Sequence, residues 1–313
     1  GWLGQGVRME VITSPTRSIV LEEARGIAPE MLILSRDGKY VINTAKRKVF
    51  VWDAESGYLV AQRDAPYAIP YVAGIDVLGK QMIAHHKKDI VFISIPEIVE
   101  THRIVNAHRE RILTTRLCPD MRCFLSASKH EIKVWDLSGN LRWGIDDANV
   151  DIGYMAPAFD PESLLFAYSE KDSIIIHDVG RGTRLGIGGC RPDIRPIPGE
   201  PSVVSKRHNI VVSIFEESTV NIYSIAPPSC IATMMIDQPL TAIRYDVLSD
   251  KILICSATNR IFVIDPQTFT IRTVFLGADS GAFDAVLIND KLRVLCWKEH
   301  DRKERYFVSD FHI

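Results

Sequence analysis

The sequence predicts an all-β protein built from seven copies of one four-stranded unit. Three observations predict it. The first is a repeat. Aligned on the Asp of "VWD", apolar segments recur as "KVFVWDA" with Asp53, "DIVFISI" with Ser94, "EIKVWDL" with Asp136 and "SIIIHDV" with Asp178. They continue as "TVNIYSI" with Ser224, "RIFVIDP" with Asp265 and, more weakly, "RYFVSDF" with Asp310. These positions are separated by 41, 42, 42, 46, 41 and 45 residues, and a period of about 40–45 residues made of short strands is that of a propeller blade. The second observation is that these segments are almost continuously apolar. A strand with one face in water alternates; a continuous run needs burial on both faces, which blades stacked around an axis provide. The third is that helix-period patterns are nearly absent.

Each unit divides into strands a to d with turn residues between them. In the third unit these are "RILTTRLCP", "RCFLSAS", "EIKVWDL" and "NLRWGI"; "SRDGKY" at 35–40 is the corresponding first turn of the first unit. The last unit ends at strand c. "RSIVLEEA", residues 17–24, matches a d strand in position and is expected to pair beside "RYFVSDF", closing the seventh blade with both chain ends. An open ring would leave a bare strand edge. Residues 17–313 are therefore read as the propeller and residues 1–16 as a separate segment. Within it "VRMEVITS", residues 7–14, also aligns as a c strand. It is an eighth incomplete copy, the remnant of an upstream region, or a competitor for the c place of the closing blade.

The third unit, "NAHRERILTTRLCPDMRCFLSASKHEIKVWDL", resembles the WD40-repeat family, and the resemblance extends over nearly the whole chain. It places His108, Ser126 or Ser128, and Trp135 in the family's structural hydrogen-bond tetrad, with Lys129 or His130 where the family has a turn Asp. Other copies lack the Gly-His pair and only two have Trp-Asp. By the same resemblance Trp52, Asp53, Trp135, Asp136, Asp178 and Asp265 are structural residues. It also implies a non-catalytic scaffold that organises protein complexes.

Composition narrows the function classes. Of 313 residues 46% are apolar, enough for a large core, and no run approaches the roughly eighteen residues of a membrane span. The net charge of −2, from 37 basic and 39 acidic residues, offers no overall argument for nucleic acid or membrane. Six scattered cysteines without a Cys-x-x-Cys pair, and no Asn-x-Ser/Thr site, favour a reducing, cytoplasmic or nuclear setting. The start, "GWLGQGVRME", has no initiating Met and reads as part of a longer protein or as a trimmed form.

Searches for chemistry return little. "GRGTRLGIGGC", residues 180–190, lacks the Gly-Lys-Ser/Thr of a phosphate loop and runs into a Pro-rich tract; it is read as a long blade-to-blade loop. "HHKK" at 85–88 is read as a solvated hairpin end, since adjacent histidines in a strand face opposite ways. "KEHDRKER" at 298–305 is read as a solvated loop. No G-x-S-x-G elbow or H-E-x-x-H helix is present. No catalytic residue, metal or cofactor is assigned.

One pattern stands out. In the family the b–c turns share one rim with the d-to-a loops. Six of seven b–c turns carry a base: Lys46-Arg47, Lys87-Lys88, Lys129, Lys171, Arg260 and Arg302-Lys303. His108, Arg109 and Arg111 add to them from a d-to-a loop. The candidate partner-binding set is Arg47, Lys87, Lys88, His108, Arg109, Arg111, Lys129, Lys171 and Arg260. Such a face suits an acidic or phosphorylated peptide better than nucleic acid, because the aromatic residues lie mainly inside strands, where packing explains them. The competing readings are solvated turns, a regulatory module attached to an upstream domain of the same protein, and a propeller hydrolase.

Overall fold

A computed structural model describes residues 10–12, 14–22, 32–45, 47–64, 76–78, 80–120, 122–146, 158–160, 162, 164–170, 173–188, 202–215, 218–236, 238–300 and 303–313. Every element among them is a strand. Two short ones come first, β1 (Glu10–Ile12) and β2 (Arg17–Val20). Blade 1 is β3 (Leu32–Leu34), β4 (Tyr40–Ala45), β5 (Lys48–Asp53) and β6 (Leu59–Asp64). Blade 2 is β7 (Asp76–Leu78), β8 (Gln81–His86), β9 (Asp89–Ser94) and β10 (Val99–Ile104). Blade 3 is β11 (Thr114–Leu117), β12 (Cys123–Ala127), β13 (Glu131–Asp136) and β14 (Leu141–Asp146). Blade 4 is β15 (Ala158–Asp160), β16 (Leu165–Glu170), β17 (Ser173–Asp178) and β18 (Thr183–Gly188). Blade 5 is β19 (Ser202–Ser205), β20 (Ile210–Phe215), β21 (Thr219–Ser224) and β22 (Ser229–Met235). Blade 6 is β23 (Leu240–Asp246), β24 (Lys251–Ser256), β25 (Arg260–Ile264) and β26 (Ile271–Phe275). Blade 7 has β27 (Ser280–Ile288), β28 (Lys291–His300) and β29 (Lys303–His312), with β2 as its fourth strand.

Each blade is an antiparallel meander, and the blades stack face to face. The burial shows why the c strands are continuously apolar. Seven hydrophobic clusters lie one between each adjacent pair of blades. Val49 and Val51 of β5 pack on blade 2, for example, while Trp52 packs on blade 7. Trp135 and Phe124 pack on Phe92 and Ile90 of blade 2, and Val134 and Leu125 on Phe166 and Tyr168 of blade 4. A c strand therefore presents neither face to water. The d strands lie outside and are correspondingly polar and exposed, as in "VETHRI" of β10.

Closure uses both chain regions. β2 pairs antiparallel with β29, from Arg17 opposite Asp310 to Val20 opposite Phe307. The Leu21 amide donates to the Tyr306 carbonyl in blade 7, and the Glu22 amide to the Gly57 carbonyl in blade 1 (both 2.9 Å). Trp52 Nε1 donates to the Glu22 carbonyl at 2.8 Å. Gly57 holds φ +78°, and a Cβ there would lie 2.1 Å from the Val20 carbonyl oxygen. Only glycine allows this close approach. Arg293, nearly buried, donates to Asp310 through Nε and Nη2 (2.7 and 2.9 Å), to the Gly38 carbonyl and to Glu55 (each 2.9 Å). Glu55 also accepts from Arg17. The fork of one guanidinium thus joins blade 7 to blade 1.

A second charge sits on the innermost strands. Asp284 of β27 accepts from Arg244 of blade 6 (2.8 and 2.9 Å) and from the Leu34 amide of blade 1 at 2.9 Å. It is 2% exposed, so one carboxylate binds three consecutive blades from inside the ring.

Three expectations need correction. The glycine-rich stretch is not a loop: Thr183–Gly188 is the d strand of blade 4, paired in register with Ser173–Asp178, because glycine is tolerated on an exposed outer edge. The charged stretch 298–305 is largely strand, with Lys298 opposite Arg305 in the longest hairpin of the fold. Of residues 7–14, Glu10–Ile12 do not take the c place of the closing blade, which β29 fills. They lie parallel to β26, Glu10 opposite Arg272, as a fifth strand on blade 6. Ile12 packs there against the core between blades 6 and 7.

Asp284→Ala removes the counter-charge of a buried guanidinium and should cost about 3–5 kcal/mol in urea unfolding. A loss under about 1 kcal/mol would contradict the role given to this carboxylate.

Candidate functional site

The strand order puts every b–c turn and every d-strand end on one rim, and the a–b and c–d turns on the other. The c–d turns explain the Asp that marks the repeat. Asp53 Oδ1 accepts from the Glu55 and Ser56 amides, Asp136 Oδ1 from those of Ser138 and Asn140, and Asp265 Oδ1 from those of Gln267 and Thr268. Asp178 accepts from the Arg181 amide. Each carboxylate closes its own turn, an Asx arrangement. Burial works against the Asp265 charge, but Lys251 and the two turn amides hold its pKa down to about 2. Trp52 is fully buried and Trp135 is 6% exposed.

Trp135 Nε1 donates to Ser126 Oγ at 2.8 Å. Ser126 Oγ lies 2.6 Å from His108 Nε2, and His108 Nδ1 lies 3.2 Å from Glu131 Oε2. A carboxylate only accepts, so His108 carries its proton on Nδ1 and the hydroxyl of Ser126 donates to Nε2. The acid of the network is therefore Glu131, the first residue of β13, and not Lys129 or His130. Its charge is met by the Arg109 amide at 2.9 Å and by Lys133 at 3.2 Å. Burial pushes the Glu131 carboxyl up, yet the Arg109 amide and Lys133 outweigh it and leave the pKa lowered.

His108 is 1% exposed, so it is not a partner-contacting residue. It is a neutral spacer of the network, its pKa lowered by burial and by Lys133. His85 is not at a solvated hairpin end either. It is 3% exposed, 3.2 Å from Thr115 Oγ1, and burial with the nearby positive charge of Arg111 lowers its pKa to about 3.

The remaining bases do not form an even ring. The Lys87 carbonyl accepts from the Ile112 amide at 2.7 Å and the Lys88 carbonyl from the His108 amide at 3.3 Å. These two bonds fasten the b–c turn of blade 2 to the loop entering blade 3. Lys87, Lys88 and Arg111 are thereby brought together, all exposed, with Lys129 on the adjoining b–c turn. None of these four makes an ion pair among the described residues. Arg109 is different: it is drawn aside by Asp146 at 2.6 Å and faces Glu131 at 4.0 Å. Arg47 is exposed on the neighbouring blade 1, and Arg260 is exposed on blade 6, apart from this arc. Lys171 lies outside the described residues, as do Lys46 and Arg302. Among the described residues no three His, Cys, Asp or Glu side chains cluster as a metal site. None of them forms a helix long and apolar enough to cross a membrane.

No protein-family description matches the chain, and no curated protein sequence does. Solved structures do. The chain is similar to the crystal structure of RRP9 WD40 repeats at TM-score 0.64 and 12% identity, over 95% of this chain and 99% of that one. It is similar to the structure of U3-55K at TM-score 0.64 and 11% identity, over 95% and 100%. The fold is a seven-bladed β-propeller. Its four-stranded blades, with β1 added to blade 6, have the architecture of these WD40-repeat structures.

Burial lowers the pKa of both His85 and His108 below the ordinary 6.5. Such groups contribute stability that is complete above about pH 6.5. It falls as the pH drops towards the folded pKa, because only the unfolded chain then binds the proton. Their ring nitrogen resonances should stay at neutral-imidazole positions from pH 8 to pH 5. Titration of either ring near pH 6.5 would contradict the burial and the network.

Proposed function

We propose that the chain is a non-catalytic protein-interaction scaffold that docks an acidic or phosphorylated peptide on the arc formed by Lys87, Lys88, Arg111 and Lys129. The observation that carries the reading is this convergence. Backbone bonds from Ile112 and His108 fix the turn that bears Lys87 and Lys88 beside Arg111, and no described carboxylate pairs with the four bases. Unpaired bases on a rigid frame offer charge-assisted hydrogen bonds to carboxylate or phosphate at little reorganisation cost. Arg109 contributes less, because Asp146 and Glu131 already hold it. Arg260, on blade 6, lies too far round the ring to act with the arc on one short peptide, whereas Arg47 is on the b–c turn of the neighbouring blade 1 and would extend the contact for a longer partner. The WD40 architecture supports the scaffold reading, since loops on its rims vary without disturbing the blades. A reducing compartment, cytoplasm or nucleus, goes with it on the pattern of cysteines.

The test is fluorescence anisotropy with a labelled decapeptide of Glu and Ser, with and without phosphoserine. Four exposed positions are reversed in Lys87→Glu, Lys88→Glu, Arg111→Glu and Lys129→Glu combined, and the fold of the variant is checked by its unfolding midpoint. The wild type should bind, more weakly as salt rises, and the variant should lose about tenfold or more in affinity. Equal binding by both proteins, or preference for an oligo-lysine peptide, would refute the arc as the docking site.

A further inference from the structure

The a–b hairpin of blade 3 carries two cysteines that face each other. β11 and β12 pair from Thr114 opposite Ala127 to Leu117 opposite Phe124. The next pair in that register is Cys118 opposite Cys123, and the Cys118 amide donates to the Cys123 carbonyl at 2.9 Å. Directly opposed residues of an antiparallel ladder have Cα atoms about 4.5–5.5 Å apart, inside the roughly 4.4–6.8 Å that a disulfide spans. Opposed side chains also leave the sheet on the same face. Both cysteines accordingly belong to the apolar cluster between blades 3 and 4, and the Cys123 thiol is a hydrogen-bond partner of the Cys118 thiol. Both are free thiols.

The two differ in access. Cys118 is 3% exposed, and burial, the neighbouring Cys123 thiol and Asp120 push its pKa up. It is therefore a poor first target for an oxidant, since the thiolate is the reactive form. Cys123 is half-buried, and its thiol donates to Asp120 Oδ1 at 3.7 Å. An accessible thiol with a second thiol directly behind it is the arrangement in which one sulfur is oxidised and the other resolves it. The remaining described cysteines differ. Cys255 and Cys296 are buried. Cys230 is exposed, but its thiol lies near the Ala232 carbonyl and the Thr233 hydroxyl, at 3.6 and 3.8 Å.

We propose that Cys118 and Cys123 are a reversible oxidation site, a dithiol that closes to a disulfide across the a–b hairpin of blade 3. The oxidant is a small disulfide such as oxidised glutathione. The Cys123 thiolate attacks one of its sulfurs; a bond forms between Cys123 and glutathione, and one glutathione thiolate leaves. Cys118 then attacks the Cys123 sulfur as its proton passes to water. The Cys118–Cys123 bond forms, and the second glutathione leaves. Two protein thiols have lost two electrons and two protons, and one small disulfide has become two thiols. In a reducing compartment the same steps run backwards, so the bond is transient. This inference does not depend on the basic arc, which lies on the other rim.

The test exposes the whole chain to excess oxidised glutathione, blocks the remaining thiols by alkylation under denaturing conditions and digests with trypsin. Cleavage after Arg122 separates the two cysteines, so a bond between them appears in mass spectrometry as two joined peptides. A non-reducing gel shows whether the bond lies within one chain. The expected result is an intrachain Cys118–Cys123 link in the wild type, with glutathione retained at Cys230 but not at Cys123. In Cys118→Ala, checked by its unfolding midpoint, glutathione at Cys123 should rise about tenfold or more, because no second thiol displaces it. Should that variant not fold, the wild-type digest decides by itself, and Cys123→Ala should leave Cys118 an unmodified thiol. Glutathione retained at Cys123 of the wild type, a Cys123 that stays a free thiol, or a link only between chains would overturn the proposal.

Discussion

A ring made of sheets has one weak joint, where the last blade meets the first, and the rest of this structure depends on how that joint is held. Asp284 holds it from inside and Arg293 from outside. Asp284 takes Arg244 from blade 6 and the Leu34 amide from blade 1; Arg293 takes Asp310 within blade 7 and Gly38 and Glu55 in blade 1. Both groups are buried charges, tolerable only because each is paired and hydrogen-bonded on several sides. Strand β2 adds the missing edge, and Gly57 lets its backbone approach blade 1. A hydrophobic cluster lies between every adjacent pair of blades, and at the joint these directional bonds are added to it.

Fixing the ring fixes the two rims relative to each other. Turns on one rim are tied by backbone bonds between neighbouring blades, as with Lys87 and Ile112. Turns on the other are closed by their own aspartates, as with Asp136 and Asp265. Neither set needs its exposed side chains for stability. This separation leaves Lys87, Lys88, Arg111 and Lys129 exposed without a structural task. The same logic explains why two histidines in the basic region are neutral: buried beside Arg111 and Lys133, a protonated ring would meet like charge without water.

The fold was legible in the sequence because its signal is collective. The period of the c strands and their continuous apolar runs survive the loss of most Trp-Asp pairs, and seven of them count the blades. Single-residue environments were less legible. Glu131 was missed because it stands at the start of a strand, outside the turn where an acid was sought. His108 was counted with the rim although its pairing with Ser126 and Trp135 requires burial. Cys230 sits among apolar residues in sequence but is exposed on the outer strand of blade 5, whereas Cys118 is buried. Alternation on a d strand depends on what lies beyond the edge, which no local pattern records. The glycine-rich d strand of blade 4 and the parallel addition of Glu10–Ile12 to blade 6 were hidden for the same reason. Asp284 and Arg244 were silent because their meaning lies in contacts across blades.

The central claim is that both ends of the described chain close one cooperative ring. Hydrogen exchange on the chain with and without residues 1–20 tests it most directly. Loss of β2 should reduce amide protection through β28 and β29, residues 291–312, by about a hundredfold or more, corresponding to about 3 kcal/mol of local stability. Blades 3 and 4 should change less. Protection in β28 and β29 that stays the same without β2 would mean that the seventh blade is held by other means, and the account of closure would fail.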